Sequence, residues 1–197
     1  MIKFFKKLFR SNKNELFDGD DDLFKNILKT SKGYAEYGCG ASTIWVAENS
    51  SAHLFSVDTS QEWIDFCIQK VSSERLNIVW VECGEVGKWG APLNYKNRNN
   101  FISYAKAPWS QAILPDTVLI DGRFRVLCFF VSLKYATEGT KILFDDYINR
   151  PHYHIVEEYI KPAQLCGRQS LFIVPSKQSL DFDSIDKMIQ KFEYVIQ

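Results

Sequence analysis

A chain of 197 residues is long enough for one domain and too short for two ordinary ones. Its 46% apolar fraction, with fifteen Phe, nine Tyr and five Trp, supplies a sizeable core and excludes a disordered tail. Basic and acidic residues balance at 24 each, so no global basic field draws the molecule onto nucleic acid, and no nucleic-acid partner is expected beyond a local patch.

The chain begins with Met1-Ile-Lys-Phe-Phe-Lys-Lys-Leu-Phe-Arg10, which is basic and apolar but too short for a signal-peptide core or a membrane span. As a helix it gathers Ile2, Phe5, Leu8 and Phe9 on one side, the pattern of an interfacial helix resting on anionic lipid or on a partner protein. Packing on its own domain is the alternative. The organisation reads as a basic amphipathic segment, 1–13, followed by a single domain, 14–197.

The acidic cluster Asp18 to Asp22 ends that segment and opens a helix over Asp21 to Lys29. Gly33 to Tyr37 is a short strand entering a glycine turn, and Thr43 to Glu48 begins the next helix. His53 to Val57 is a second strand, stopped by Asp58. Ser60 is placed to N-cap a helix running to about Val71, with Glu62 and Asp65 in its first turns. Asn77 to Val81 is an apolar, β-branched third strand. From Cys83 to Leu114 the chain is rich in Gly, Asn, Pro, Trp and Tyr without periodicity, and a loop that long inside a compact domain is usually functional.

Val118 to Ile120 is the fourth strand, closed by Asp121-Gly122. Arg123 to Ala136 is an apolar-rich helix with Gly139 marking its stop. Thr140 to Phe144 is the fifth strand, closed by Asp145-Asp146. Pro151 suits the first turn of a helix to about Ile160. Ala163 to Cys166 and Ser170 to Val174 straddle Gly167-Arg168 as a hairpin, and a helix over Ser184 to Phe192 follows. These elements predict an α/β fold: a doubly wound, mostly parallel seven-stranded sheet with a terminal antiparallel hairpin. The cysteines, Cys39, Cys67, Cys83, Cys128 and Cys166, are odd in number and lack a Cys-x-x-Cys pair. They read as small buried hydrophobes in a reducing cytoplasm, not as a disulfide framework or zinc site.

Such sheets bind ligands outside the carboxyl ends of their strands. Gly38 and Gly40 let the backbone bend and approach a ligand closely. The helix that follows offers free N–H groups. Asp58, closing the second strand, is placed to accept hydrogen bonds from ribose hydroxyls. A dinucleotide fingerprint requires a small third residue, and Thr43 stands there instead. A carboxylate at Glu36 also suits a cationic ligand end better than a pyrophosphate.

Glu36-x-Gly38-x-Gly40-x-Ser42 after one strand, with Asp58 after the next, resembles the first two motifs of the class I S-adenosylmethionine-dependent methyltransferases. The likeness covers residues 30–175, and the hairpin is similar to that family's terminal strand insertion. It implies S-adenosylmethionine as cofactor. Gly38 and Gly40 would line its methionine part, Asp58 its ribose, and Glu82-Cys83-Gly84 its adenine side. Ala41 stands where many members have a third glycine.

The acceptor side falls to Asp121, Asp145 and Asp146 at the ends of strands four and five. Three carboxylates there repel unless they are hydrogen-bonded, protonated or holding a cation. Their placement resembles the metal-dependent, catechol-type branch of the family, which implies a magnesium site, although that branch usually carries an amide at the position of Asp146. The alternative is that Asp121 and Asp145 organise loops through backbone N–H groups. His152 and His154 are candidate bases near neutral pH, and at i and i+2 only one is expected to reach the site. Arg123, Arg125 and Arg150 flank the same ends, either to grip a carboxylate or phosphate or to neutralise the acids. Trp89, Tyr95, Tyr104 and Trp109 form either a stacking lid or the long loop's own core.

The expected activity is O- or N-methylation of a small molecule or glycan, with Asp121 or His152 as proton acceptor and Arg123 as substrate clamp. A link to polysaccharide biosynthesis comes from general likeness alone. The rival readings are an NAD-type oxidoreductase and a non-catalytic, membrane-associated scaffold. The expected location is the cytoplasm, at the inner membrane face if residues 1–10 bind lipid.

Overall fold

The computed structural model describes residues 16, 17 and 20–196. The basic segment 1–10 and the boundary drawn at residue 13 lie outside these described residues. Within them, no helix is long and apolar enough to cross a membrane.

Seven strands form one sheet: β1 (Gly33–Tyr37), β2 (His53–Asp58), β3 (Leu76–Trp80), β4 (Thr117–Ile120), β5 (Lys141–Phe144), β6 (Gln164–Cys166) and β7 (Gln169–Ile173). Their spatial order is β3-β2-β1-β4-β5-β7-β6, with β1 to β5 parallel and β7 antiparallel to both β5 and β6. The helices are α1 (Asp22–Leu28), α2 (Ala41–Asn49), α3 (Gln61–Lys70), α4 (Phe101–Lys106), α5 (Arg125–Tyr135) and α6 (Phe182–Phe192). The doubly wound sheet and terminal hairpin expected from the sequence are present, and the order reverses at β1, between β2 and β4.

Period-two alternation sorts the strand residues onto two faces. Ala35, Tyr37, Val118, Ile120, Ile142 and Phe144 join the core beneath α4, α5 and α6. Tyr34, Leu54, Leu119 and Leu143 join the opposite core beneath α1 and α2. Every residue of β1 and β4 is buried, as a sheet covered on both faces requires.

The structure corrects two readings. The stretch from 83 to 114 holds α4, whose Phe101, Tyr104 and Ala105 are buried at i, i+3 and i+4. The segment Pro151–Glu158 is 3₁₀ rather than α-helical, with Tyr153 and Val156 buried three residues apart.

Among the described residues, the non-glycine residues with left-handed backbone are Trp89, Phe124 and Asp146. They follow β3, β4 and β5 in turn, so all three lie in loops at the carboxyl edge of the sheet. Each such residue costs of order 1–3 kcal/mol and persists where the surroundings impose it, which is common at functional sites.

Candidate active site

The crevice is built on the turn after β1. Gly38 has φ +91°, and a Cβ there would lie 2.8 Å from the Cα of Gly122. A Cβ on Gly122 would in turn collide with the Tyr104 hydroxyl and with the backbone of Tyr37 and Gly38. The turns after β1 and β4 therefore pack back to back, backbone on backbone. Gly40 differs: a Cβ there meets nothing within 4 Å. It faces open space at the start of α2, the cradle in which a ligand can lie against bare backbone.

Glu36 lies beneath this turn. On β1 it shares a face with Tyr34, and it is in direct register with Ser56 on β2. Its fully buried carboxylate accepts hydrogen bonds from Tyr34 (2.9 Å), Ser42 (2.7 Å), Ser56 (2.6 Å) and Thr43. Burial pushes its pKa up, and the hydroxyl donors oppose that shift. Glu36 is thus positioned as a strut joining β1, β2 and α2, and Ser42 spends its hydroxyl on that strut.

Asp58 closes β2 and is nearly buried. It accepts the Cys39 N–H of the glycine turn (2.9 Å) and the Ser60 N–H that opens α3 (2.7 Å). The Thr59 N–H and the Cys39 side chain also act on this carboxylate. Burial raises its pKa against these N–H groups. Next to it, the Thr59 hydroxyl donates to the Gly90 carbonyl (2.6 Å), and Trp89 stacks on Trp63 of α3 at 6.2 Å. Glu82 is exposed, with its carboxylate held by Asn97 (2.7 Å) and its carbonyl by Asn100 (2.8 Å); Gly84 lies against Asn94 and Asn97.

The carboxylates at the ends of β4 and β5 gather as the strand ends suggested. Asp121, Asp145 and Asp146 bring oxygens within 4.8 Å of one another. Guanidiniums from three different elements meet them. Arg125, at the start of α5, reaches Asp121 (3.0 Å) and Asp146 (3.3 Å). Arg150 reaches Asp146 (2.8 Å), and Arg168, from the β6–β7 turn, meets Asp145 (2.6 Å) and Asp146 (3.4 Å). A divalent cation does not fit this donor set: every carboxylate faces a guanidinium, and Asp145 is wholly buried. Burial and the neighbouring Asp145 push Asp121 well above the usual carboxylate range, with Arg125 pulling the other way.

Arg123 is half-buried one residue beyond Gly122, and its N–H donates to the Tyr104 hydroxyl (3.3 Å). Burial and the adjacent Arg125 lower its pKa. His152 is exposed, its ring 4.4 Å from that of Tyr153. His154 is engaged elsewhere, with a ring nitrogen 3.2 Å from the Tyr147 carbonyl. The aromatic stretch divides: Trp89 and Tyr95 are exposed, Tyr104 is core, and Trp109 donates to the Tyr37 hydroxyl (3.0 Å). Arg168 escaped the sequence reading because its partner lies 23 residues away. Its one local signal is a charged residue in a two-residue hairpin turn.

No family model matches the chain, and no curated protein matches it. Solved structures do. A methyltransferase-like protein of Silicibacter pomeroyi is 29% identical with a TM-score of 0.77, over 87% of this chain and 92% of that one. The N-methyltransferase NodS of Bradyrhizobium japonicum, solved with S-adenosyl-L-homocysteine, shares the fold at 12% identity and a TM-score of 0.53, over 88% of this chain and 98% of its own.

Proposed function

We propose that this chain, which belongs to the class I, Rossmann-like methyltransferase family, methylates an oxygen or nitrogen of a small molecule or glycan using S-adenosylmethionine. The observation that carries the reading is the bare cradle at Gly40, flanked by the Asp58 carboxylate and set against the turn that leads to Asp121. When bound, the cofactor supplies an electrophilic methyl group on a sulfonium.

The chain's residues supply position and proton management. The backbone of residues 38–40 receives the methionine portion, and Asp58 accepts from the ribose hydroxyls. Glu82 to Gly84 border the adenine. Arg123 contacts the acceptor. The acceptor's proton would pass to Asp121 or His152. Asp121 suits the base role by position: it closes β4 next to Gly122, which packs against Gly38 of the glycine turn. No step requires a metal.

Calorimetry with S-adenosylhomocysteine tests this reading. The intact chain should bind it, Asp58→Ala should weaken binding by about tenfold or more, and magnesium or EDTA should leave affinity unchanged. Tight binding of NADH in its place would overturn the assignment. Peripheral membrane contact through residues 1–10 belongs to the same proposal. Co-sedimentation with anionic vesicles, lost on deleting residues 1–12, is its test.

A further inference from the structure

We infer that the turn formed by residues 85–93 is a strap over the ribose side of the cofactor site, latched on the corner between β2 and α3, and that it lifts to let S-adenosylmethionine reach Asp58; this inference rests on the methyltransferase reading. The turn closes on itself. Val86 and Pro92 form an antiparallel bridge, the Leu93 N–H donates to the Glu85 carbonyl (2.9 Å), and the Gly87 N–H donates to the Ala91 carbonyl (2.8 Å). These bonds run within the turn, so they survive its displacement as one piece.

Its tip covers the carboxylate that the ribose has to meet. Gly90 has φ +71°, and a Cβ there would lie 2.6 Å from the Thr59 hydroxyl oxygen and 3.4 Å from Oδ1 of Asp58. A gap that is tight for one methyl group admits no sugar. Asp58 is only 7% exposed, yet a ribose hydroxyl has to come within about 2.7 Å of a carboxylate oxygen to bond to it. Fixed pieces take the other flanks of this carboxylate. The Cys39 N–H belongs to the glycine turn, which is locked against Gly122, and the Ser60 N–H opens α3. The strap is the flank that belongs to neither the sheet nor an α-helix.

The latch joins the tip to that corner. The Thr59 hydroxyl donates to the Gly90 carbonyl (2.6 Å), and the Trp89 ring is stacked on Trp63 of α3, with 6.2 Å between centroids and 14° between planes. A neutral hydrogen bond and an aromatic pair are modest contacts, of a size that ligand binding outweighs. Closure also holds Trp89 in a left-handed backbone (φ 61°, ψ 28°), which is rare for a bulky side chain, so the closed position carries strain that lifting releases.

Surface plasmon resonance of S-adenosylhomocysteine over the immobilised full chain tests the strap. Thr59→Val and Trp89→Ala each remove one part of the latch. Each should raise the association rate by about threefold or more, because the strap is open more of the time. Trp89→Phe, which keeps a ring on Trp63, should stay within about twofold of wild type. Faster association is the opposite of what mere damage to the site produces, and thermal melts by circular dichroism confirm that each variant is folded. Association by folded Thr59→Val and Trp89→Ala that is no faster than wild type overturns the strap alone. If the wild-type chain does not bind S-adenosylhomocysteine, the methyltransferase reading falls, and the strap falls with it.

Discussion

Arg168 holds Asp145 by a hydrogen bond from Nε to Oδ1 (3.0 Å) and by an ionic contact of a terminal nitrogen 2.6 Å from Oδ2. Asp145 closes the last parallel strand, and Arg168 sits in the antiparallel hairpin, so the pair staples the two halves of the sheet. Asp145 has no exposure, and removing its partner strands a charge in the interior. Arg168→Ala should therefore cost about 3–5 kcal/mol in urea unfolding. Asp145→Asn combined with Arg168→Ala should cost less than Arg168→Ala alone, because no buried charge is left behind. A cost below about 1 kcal/mol for Arg168→Ala would reduce the pair to the value of a surface ion pair.

The two motif glycines should separate cleanly. Gly38→Ala demands a left-handed alanine and drives its Cβ to 2.8 Å from the Gly122 backbone. It should destabilise the fold by about 1–3 kcal/mol. Gly40→Ala, at φ 171° and with no atom within 4 Å of the added Cβ, should leave thermal stability nearly unchanged. Its methyl group occupies the cradle instead, so S-adenosylhomocysteine affinity should fall by about tenfold or more. Equal affinity for Gly40→Ala and wild type would show that the cradle is not where the cofactor lies.

Asp121 gives a pH dependence with a definite sign. Its folded-state pKa is raised by burial and Asp145, so the fold favours the protonated form. The associated stability is fully present below the usual carboxylate range and is lost as pH rises through the folded value. Glu36 and Asp58 shift in the same direction. Asp121→Asn, which keeps an acceptor for Arg125, should flatten the decline in melting temperature between acidic and neutral pH while lowering the methyl-transfer rate. An unaltered pH slope would mean that Asp121 ionises in the fold as freely as in the unfolded chain.

Much of this architecture was legible because it is local. Four of the first five strands are short runs ended by a glycine or an acid (Gly38, Asp58, Asp121, Asp145), and Gly167-Arg168 marks the hairpin turn. The site was legible in part for the same reason: Gly38, Asp58, Asp121 and Asp145 all close strands, and a parallel sheet aligns such positions along one edge. What escaped depends on partners distant in sequence or on weak periodicity. Helix α4 has six residues, so its apolar spacing of 101, 104 and 105 is too short to stand out from a glycine- and asparagine-rich stretch. The 3₁₀ segment buries Tyr153 and Val156 at a spacing that α and 3₁₀ turns share. The compensation of the acids by Arg168, and of Glu36 by hydroxyls from two strands and a helix, follows from packing alone.

Glu36 offers the sharpest test of strut against ligand contact. Four hydroxyls converge on its two oxygens: Tyr34 and Ser42 on one, Ser56 and Thr43 on the other. Glu36→Gln replaces one acceptor oxygen with a donor. The affected hydroxyls can then accept from the amide but no longer all donate to it. Stability should drop by about 1–3 kcal/mol, the cost of one or two imperfectly met buried groups. If Glu36 acts only as a strut, the folded variant should bind S-adenosylhomocysteine within about tenfold of wild type, and lowering the temperature to restore the fold should restore binding with it. If the carboxylate instead serves as counter-charge to the ligand's ammonium, affinity should collapse in a protein that remains folded. Calorimetry beside circular dichroism on the same samples decides between them. The geometry, with both oxygens occupied beneath the turn, predicts the first outcome.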